Sequence, residues 1–223
     1  MRAGLLGAFL VLTLTVSAFA GPREVRGAKP GAFDLYILAL SWSPGFCASN
    51  ARASDSDQCA VGANLGFVAH GLWPQYESDY PAFCGNPNRS VRASDLDIVD
   101  GIIPTRGLAR HQWRKHGSCT GLSPSAYFRD VADAFNAVVR PDSAIGQAGT
   151  MRPIEVEQAF VAVNPGLRTD MIAVDCGRAE DGTVVLQEVR VCLTRDLRRF
   201  RPCPAEVERD TCRAPTISIP EPN

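Results

Sequence analysis

An α+β fold is what this sequence predicts, and three observations carry the prediction. Apolar runs of strand length and apolar stripes of helical spacing both occur. They are mixed without a steady strand–helix alternation, which argues against a regular βαβ architecture. No internal repeat, linker or second compositional block interrupts the chain, so residues 21–223 read as one domain.

The first twenty residues stand apart. Arg2 gives a short positive start, residues 4–16 are apolar, and Ala18-Phe19-Ala20 has small residues flanking one large one. That pattern predicts a secretory signal peptide over residues 1–20, cut after Ala20. The apolar run is shorter than the roughly 20 residues a membrane-spanning helix needs. Net charge is −1 at pH 7 and stays near neutral without Arg2. This argues against nucleic-acid binding that rests on a broad basic surface, and leaves room for a local basic site.

All eight cysteines lie beyond the signal: Cys47, Cys59, Cys84, Cys119, Cys176, Cys192, Cys203 and Cys212. An even number in an exported chain predicts four disulfides in an oxidising compartment, with pairing that spacing alone does not fix. No CxxC pair is present, which weakens a zinc reading.

The elements follow in order. Residues 21–31 read as a loose leader. "FDLYILALSW", residues 33–42, is apolar and bounded by Pro44-Gly45, a buried strand. Residues 48–57 are small and polar, a surface loop. Phe67, Val68 and Ala69 form a short strand that Gly71 and Pro74 break. Alternation puts Val68 and His70 on one face, Phe67 and Ala69 on the other. Residues 75–92 are loop-like and contain the glycosylation acceptor sequence Asn88-Arg89-Ser90.

Residues 110–116 lack helix breakers until Gly117 and predict a helix. Ser123 and Pro124 open a second one, whose stripe of Phe128, Val131, Phe135, Val138 and Val139 is a core face. Pro153 opens a third, and Asn164-Pro165-Gly166 stops it. "MIAVDC" and "TVVLQEVRVCLT" predict two late strands.

The chain holds three histidines: His70, His111 and His116. With His111 at zero on a helix, Lys115 falls near ~40°, Gln112 near ~100° and His116 near ~140°. One wall of a cleft thus carries two imidazoles, an ammonium and an amide, while Trp113 and Arg114 point elsewhere. Imidazole titrates near neutral pH, and a pair serves as base and acid in one turnover. A lysine beside them stabilises growing anionic charge. No GxSxG elbow and no GxxxxGK[ST] loop occur, so a serine nucleophile and a phosphate-cradling loop lack support. RNA brings its own nucleophile, the 2′-hydroxyl, and Trp73 offers a face on which a base can stack.

Two segments, "HGLWPQ" and "HQWRKHGSC", resemble the active-site segments of the RNase T2 family. "FDLYILALSWSPGFC", "YPAFC" and "LQEVRVCL" resemble that family's first strand, a cysteine-bearing loop and a late strand. The resemblance implies an RNase T2-like fold, a central antiparallel sheet with packed helices. It implies cleavage of single-stranded RNA through a 2′,3′-cyclic phosphate, with no metal and no cofactor. By position, His116 is the base on the 2′-hydroxyl and His70 the acid on the leaving oxygen. Lys115 stabilises the pentacoordinate phosphate and His111 helps hold it. Trp73 and Gln75 match the base pocket.

One departure stands out: Gln112 occupies a position where the family usually has Glu. An amide can hydrogen-bond but carries no charge to raise a histidine's pKa. The resemblance also implies the pairs Cys84–Cys119, Cys47–Cys59, Cys176–Cys212 and Cys192–Cys203.

Two other readings compete. One is an exported binding or inhibitory protein with weak or lost catalysis, supported by Gln112 alone. The other is a metal protein using His111 and His116, whose five-residue spacing is poorer than that of helical zinc pairs. The leading expectation is an exported, monomeric, metal-independent endoribonuclease of low base specificity, periplasmic or secreted. Its RNA affinity is expected to fall only shallowly with salt.

Overall fold

The computed structural model describes residues 23–50, 56–85, 90–209 and 211–222. Residues 1–20, read above as a signal peptide, and Asn88 of the acceptor sequence lie outside the described residues.

Eight strands and seven α-helices are named in chain order. They are β1 (Glu24–Arg26), β2 (Leu35–Trp42), α1 (Ser43–Ala48), β3 (Phe67–Gln75), β4 (Tyr80–Ala82), α2 (Ala93–Leu96) and α3 (Arg106–Lys115). Then come α4 (Pro124–Ala137), α5 (Asp142–Gly146), β5 (Thr150–Met151), α6 (Pro153–Val163), β6 (Ile172–Arg178), β7 (Val184–Thr194), α7 (Ala205–Arg209) and β8 (Ile217–Ser218).

The main sheet has the order β3-β2-β7-β8-β5, with β6 also paired to β7. The pairs that form its body, β2–β3, β2–β7 and β6–β7, are antiparallel. β2 is buried at every position. Tyr36, Leu38, Leu40 and Trp42 enter the main core with Phe128, Val131, Phe135 and Phe160 of α4 and α6. Leu35 and Ile37 face the other way, into a small cluster with Cys192, Cys203 and Val207. A strand covered on both faces reads as a continuous apolar run, which is why "LYILALSW" lacks alternation.

Helix α4 starts where its cap requires, with the Ser123 side chain accepting from the Ala126 N–H and Pro124 in the first turn. Of its expected stripe, Phe128, Val131, Phe135 and Val138 are buried, but Val139 is 52% exposed because the helix ends at Ala137.

Four expectations need correction. Residues 23–31 are not all loose: β1 pairs in parallel with β4. The stretch read as loop from 75 to 92 contains β4 for that reason, and α2 follows it. Pro44 does not merely end β2 but opens α1, which takes Ser43 to Ala48. Gly71 and Pro74 do not break β3, which runs on to Gln75. Proline is tolerated there because β3 is a sheet edge and its missing N–H leaves no ladder bond unmade.

All four expected disulfides are present: Cys47–Cys59, Cys84–Cys119, Cys176–Cys212 and Cys192–Cys203. Disulfides of this kind form and persist in oxidising compartments. Among the described residues no helix is long and apolar enough to cross a membrane.

One surface group works against the fold. Burial pushes the Glu157 carboxyl on α6 up to about 7, with the Glu208 charge adding to it. A carboxyl raised on folding resists ionisation in the native state, so stability falls as pH rises from the unfolded value of about 4.3 through 7. Glu157→Gln is expected to gain about 1 kcal/mol at about pH 8, after discounting for solvent screening, and almost nothing at about pH 4. Urea unfolding at the two pH values measures this.

Candidate active site

A single unpaired residue sets up the site. In the β2–β3 ladder Leu40 pairs with Ala69 and Ala39 pairs with Gly71, so His70 has no partner. This bulge reverses the facing rule along β3. Before it, Phe67 and Ala69 face the core and Val68 lies beside Ser41. After it, Leu72 faces the core, while Gly71, Trp73 and Gln75 share the side of Ala39, Ile37 and Leu35. His70 and Trp73 therefore meet on one face, three residues apart, with ring centroids 5.2 Å apart and edge-on.

Helix α3 supplies the facing wall. Thr105 caps its start by accepting from the Leu108 N–H. Arg114 and Lys115 occupy its last turn, where cations suit the helix dipole. His116 is the residue that ends it, its N–H donating to the Gln112 carbonyl. Gly117 must follow, because a Cβ there would lie 2.6 Å from the Trp113 ring and 2.8 Å from that of Tyr127. The end of α3 is then clamped twice. The Phe83 N–H donates to the Lys115 carbonyl, and Cys84 is bonded to Cys119.

The two walls enclose a cleft of about 260 Å³. His70, Trp73, Gln75, His111, Gln112, Lys115 and His116 all line it. Every expected site residue is thus at one place. Trp113 is buried in the core, away from the cleft.

The two walls touch through aromatic and polar contacts. The Trp73 ring stacks on His116, with centroids 5.1 Å apart and 24° between planes. Its Nε1–H donates to Gln112 Oε1 at 2.9 Å. Gln112 is almost fully buried. Its carbonyl is thereby engaged in holding Trp73, and Gly71 leaves the space: a Cβ at 71 would strike both Gln112 Oε1 and Trp73 Nε1.

The imidazoles sit in unlike settings. His116 is 5% exposed. Burial pushes its pKa well below the ordinary histidine value, and the charges of Lys115, His70 and His111 push the same way. Its buried Nδ1 finds no hydrogen-bond partner among the described residues, so an imidazolium, which must donate from both nitrogens, is further disfavoured. His111 is also lowered, by burial first and then by Arg114, Lys115 and His70. His70 instead has its Nδ1 2.6 Å from Glu188 Oε2.

Lys115 Nζ lies 3.7 Å from Glu24 Oε2 and 5.5 Å from the centre of the Tyr80 ring. Tyr80 donates its hydroxyl to the same carboxylate, and its own pKa is raised, by burial first and by Glu24 next. Among the described residues no group of three or more His, Cys, Asp or Glu side chains is placed to hold a metal ion.

A family model described as the Ribonuclease T2 family matches residues 33–203, most of the chain. The chain belongs to the ribonuclease T2 family. A ribonuclease of Aeromonas hydrophila is 43% identical over 115 residues, which cover 52% of this chain and 50% of that protein. A probable ribonuclease of Haemophilus influenzae is 36% identical over 126 residues, 51% of this chain and 46% of that one. The chain spans about half the length of these curated relatives. The fold of this ribonuclease T2 family member matches a crystal structure of an RNase MC1 mutant in complex with 5′-UMP. The TM-score is 0.67 at 20% identity, covering 83% of this chain and 98% of that one.

Four residues at the site were missed by sequence reasoning: Glu24, Tyr80, Glu188 and Arg190. Glu24 and Tyr80 lie on short strands in segments that read as loops. Glu188 and Arg190 left a usable signal. They alternate with Val189 and Val191 in a strand otherwise apolar at its centre, which marks a polar row on one face.

Proposed function

We propose that this chain is an endoribonuclease that cleaves single-stranded RNA without a metal or other cofactor, by attack of the 2′-hydroxyl on the adjacent phosphorus. The observation that carries the reading is the pair of imidazoles across one cleft in opposite settings, one buried and held neutral, the other against a carboxylate. Family membership supports the same reading.

His116, neutral at working pH, takes the proton of the 2′-hydroxyl as the new P–O2′ bond forms. Lys115 stabilises charge on the pentacoordinate phosphate, and His111 helps hold it. His70 gives its proton to the 5′-oxygen as the P–O5′ bond breaks, leaving a 2′,3′-cyclic phosphate. Water then opens that ring with the two histidines exchanging roles. Trp73 and Gln75 form the base side of the cleft. One Trp73 face is occupied by His116, so the ring also spaces the two imidazoles.

The first test uses residues 21–223, single-stranded RNA and EDTA, with detection of cyclic phosphate ends. Cleavage abolished by EDTA, or ends of another kind, would refute the reading. The disulfides fit an exported chain, periplasmic or secreted. N-terminal sequencing of the protein from its host, starting at Gly21, checks the signal cleavage.

Gln112→Glu is a second test. A carboxylate at 112 can still accept from Trp73 Nε1, but it adds a negative charge between His111 and His116. The acid limb of the pH–rate profile is expected to move up by about 0.5 to 1 unit, since an anion nearby favours the protonated base. An unmoved profile would show that charge at 112 is irrelevant to the reaction.

A further inference from the structure

The positions of Glu188 and Arg190 reach beyond the roles just assigned. Both lie on β7 and face the cleft side, opposite Ser41 and Ala39 of β2. Glu188 is 5% exposed, yet both its oxygens are engaged. Oε2 takes His70 Nδ1 at 2.6 Å, and Oε1 accepts from Arg190 Nε at 2.8 Å. Arg190 is anchored in turn by Asp175 Oδ2 on β6, at 2.9 Å from its terminal nitrogen. Its guanidinium also sits 5.9 Å from the centre of the Trp73 ring. A chain of contacts thus runs His70–Glu188–Arg190–Asp175 across three strands.

Burial alone pushes the Glu188 carboxyl up, but the hydrogen bond and charge of His70 and the Arg190 guanidinium outweigh it and hold the group below the usual range. Glu188 is therefore an anion and can only accept. His70 must carry a proton on Nδ1, which leaves Nε2 as the nitrogen that exchanges protons with substrate. The other charged groups around the cleft are Lys115, His111 and His116 on the α3 wall, cationic or neutral, and Glu24 of β1, whose carboxylate faces Lys115 and Tyr80.

We propose that Glu188 is a positioning residue for the reaction: it fixes the tautomer and orientation of His70 and supplies an anionic partner in a cleft that has only an amide at position 112. The inference rests on the proposed ribonuclease reading, with His70 as proton donor. Glu188 holds the Nδ1 side of the ring before transfer. After the proton leaves Nε2 for the 5′-oxygen, the Nδ1–H stays on the carboxylate. Arg190 and Asp175 keep that carboxylate from turning away.

Glu188→Gln is nearly isosteric and tests this. On RNA, kcat is expected to fall about 10- to 100-fold, the size of loss known for carboxylates that orient metal-bound histidines, with KM within about two-fold. The alkaline limb of the pH–rate profile should move to lower pH, because the imidazolium has lost its counter-charge. On uridine 3′-(p-nitrophenyl phosphate), whose leaving oxygen needs no proton, the variant should come within about three-fold of wild type. Equal losses on both substrates, or an unmoved alkaline limb, would assign Glu188 to structure alone.

A measurement on the unmodified protein guards against a variant that does not fold. The ring-nitrogen NMR shifts of His70 should show Nδ1 protonated in the neutral ring. An Nε2–H tautomer there would overturn the proposal. Failure of the ribonuclease reading is separate: it appears as a wild-type chain that does not cut RNA, whatever the His70 tautomer.

Discussion

His116→Ala is expected to lower RNA cleavage by about 10³-fold or more, the upper part of the range for losing a general base. The residue is buried, stacked on Trp73 and held neutral by its surroundings. Few other groups in the cleft fit that role, since Lys115 is a cation and Gln112 has no basic nitrogen. Single-turnover rates on a short single-stranded RNA measure the loss, with disulfide content checked in the same sample. A variant within ten-fold of wild type would remove His116 from the mechanism.

The same residue sets a pH dependence. A histidine whose pKa is lowered on folding stays neutral below the ordinary value of about 6.5, so the base remains competent into mildly acid solution. For stability the sign is opposite. The unfolded chain protonates this imidazole first, so the native state loses stability as pH falls from about 6.5 toward the folded value. The wild type should therefore be most acid-labile just where His116 is still an active base. A polar replacement such as His116→Gln should flatten that part of the stability profile.

The second large effect concerns Cys84–Cys119. These residues are fully buried and 35 apart in sequence. Replacing both with alanine is expected to cost about 3 to 4 kcal/mol, from the loop entropy released in the unfolded chain. Activity should fall further than stability alone explains. The bond fixes the segment of Phe83, whose N–H holds the Lys115 carbonyl, and so locates the end of α3. Urea unfolding and kcat/KM at a temperature where the variant is folded separate the two effects. Unchanged kinetics in a folded variant would make the disulfide a staple only. Reduction of Cys47–Cys59, neither of which lines the cleft, offers the comparison.

Much of this was legible in sequence, for physical reasons that differ by element. β2 and α4 announced themselves because burial imposes a period, continuous in the first and helical in the second. The α3 wall was legible because a rigid helix converts spacing into direction: positions 111, 112, 115 and 116 do reach one cleft. β3 was harder. Gly71 and Pro74 have the local chemistry of breakers, and only the sheet, with an open edge at β3, shows why they are tolerated. The β1–β4 pairing was invisible, since three-residue strands carry no period and pair across 56 residues. Glu188 illustrates a different limit. Its place in the strand was readable, but that a carboxylate there would meet His70 depends on β2 lying between β3 and β7.

The bulge at His70 has a consequence for mutational tolerance. Upstream of it the sensitive core positions on β3 are odd, Phe67 and Ala69. Downstream they are even, Leu72 and Pro74, and the odd positions become those that shape the cleft. A saturation scan of residues 67–75, scored separately for abundance and for catalysis, should show two alternating patterns that change phase at position 70. Deleting the residue at the bulge would restore an unbroken ladder with the core set and the cleft set both in register, and would cost only the position that carries the imidazole. Along this strand, length is as much a determinant of chemistry as composition.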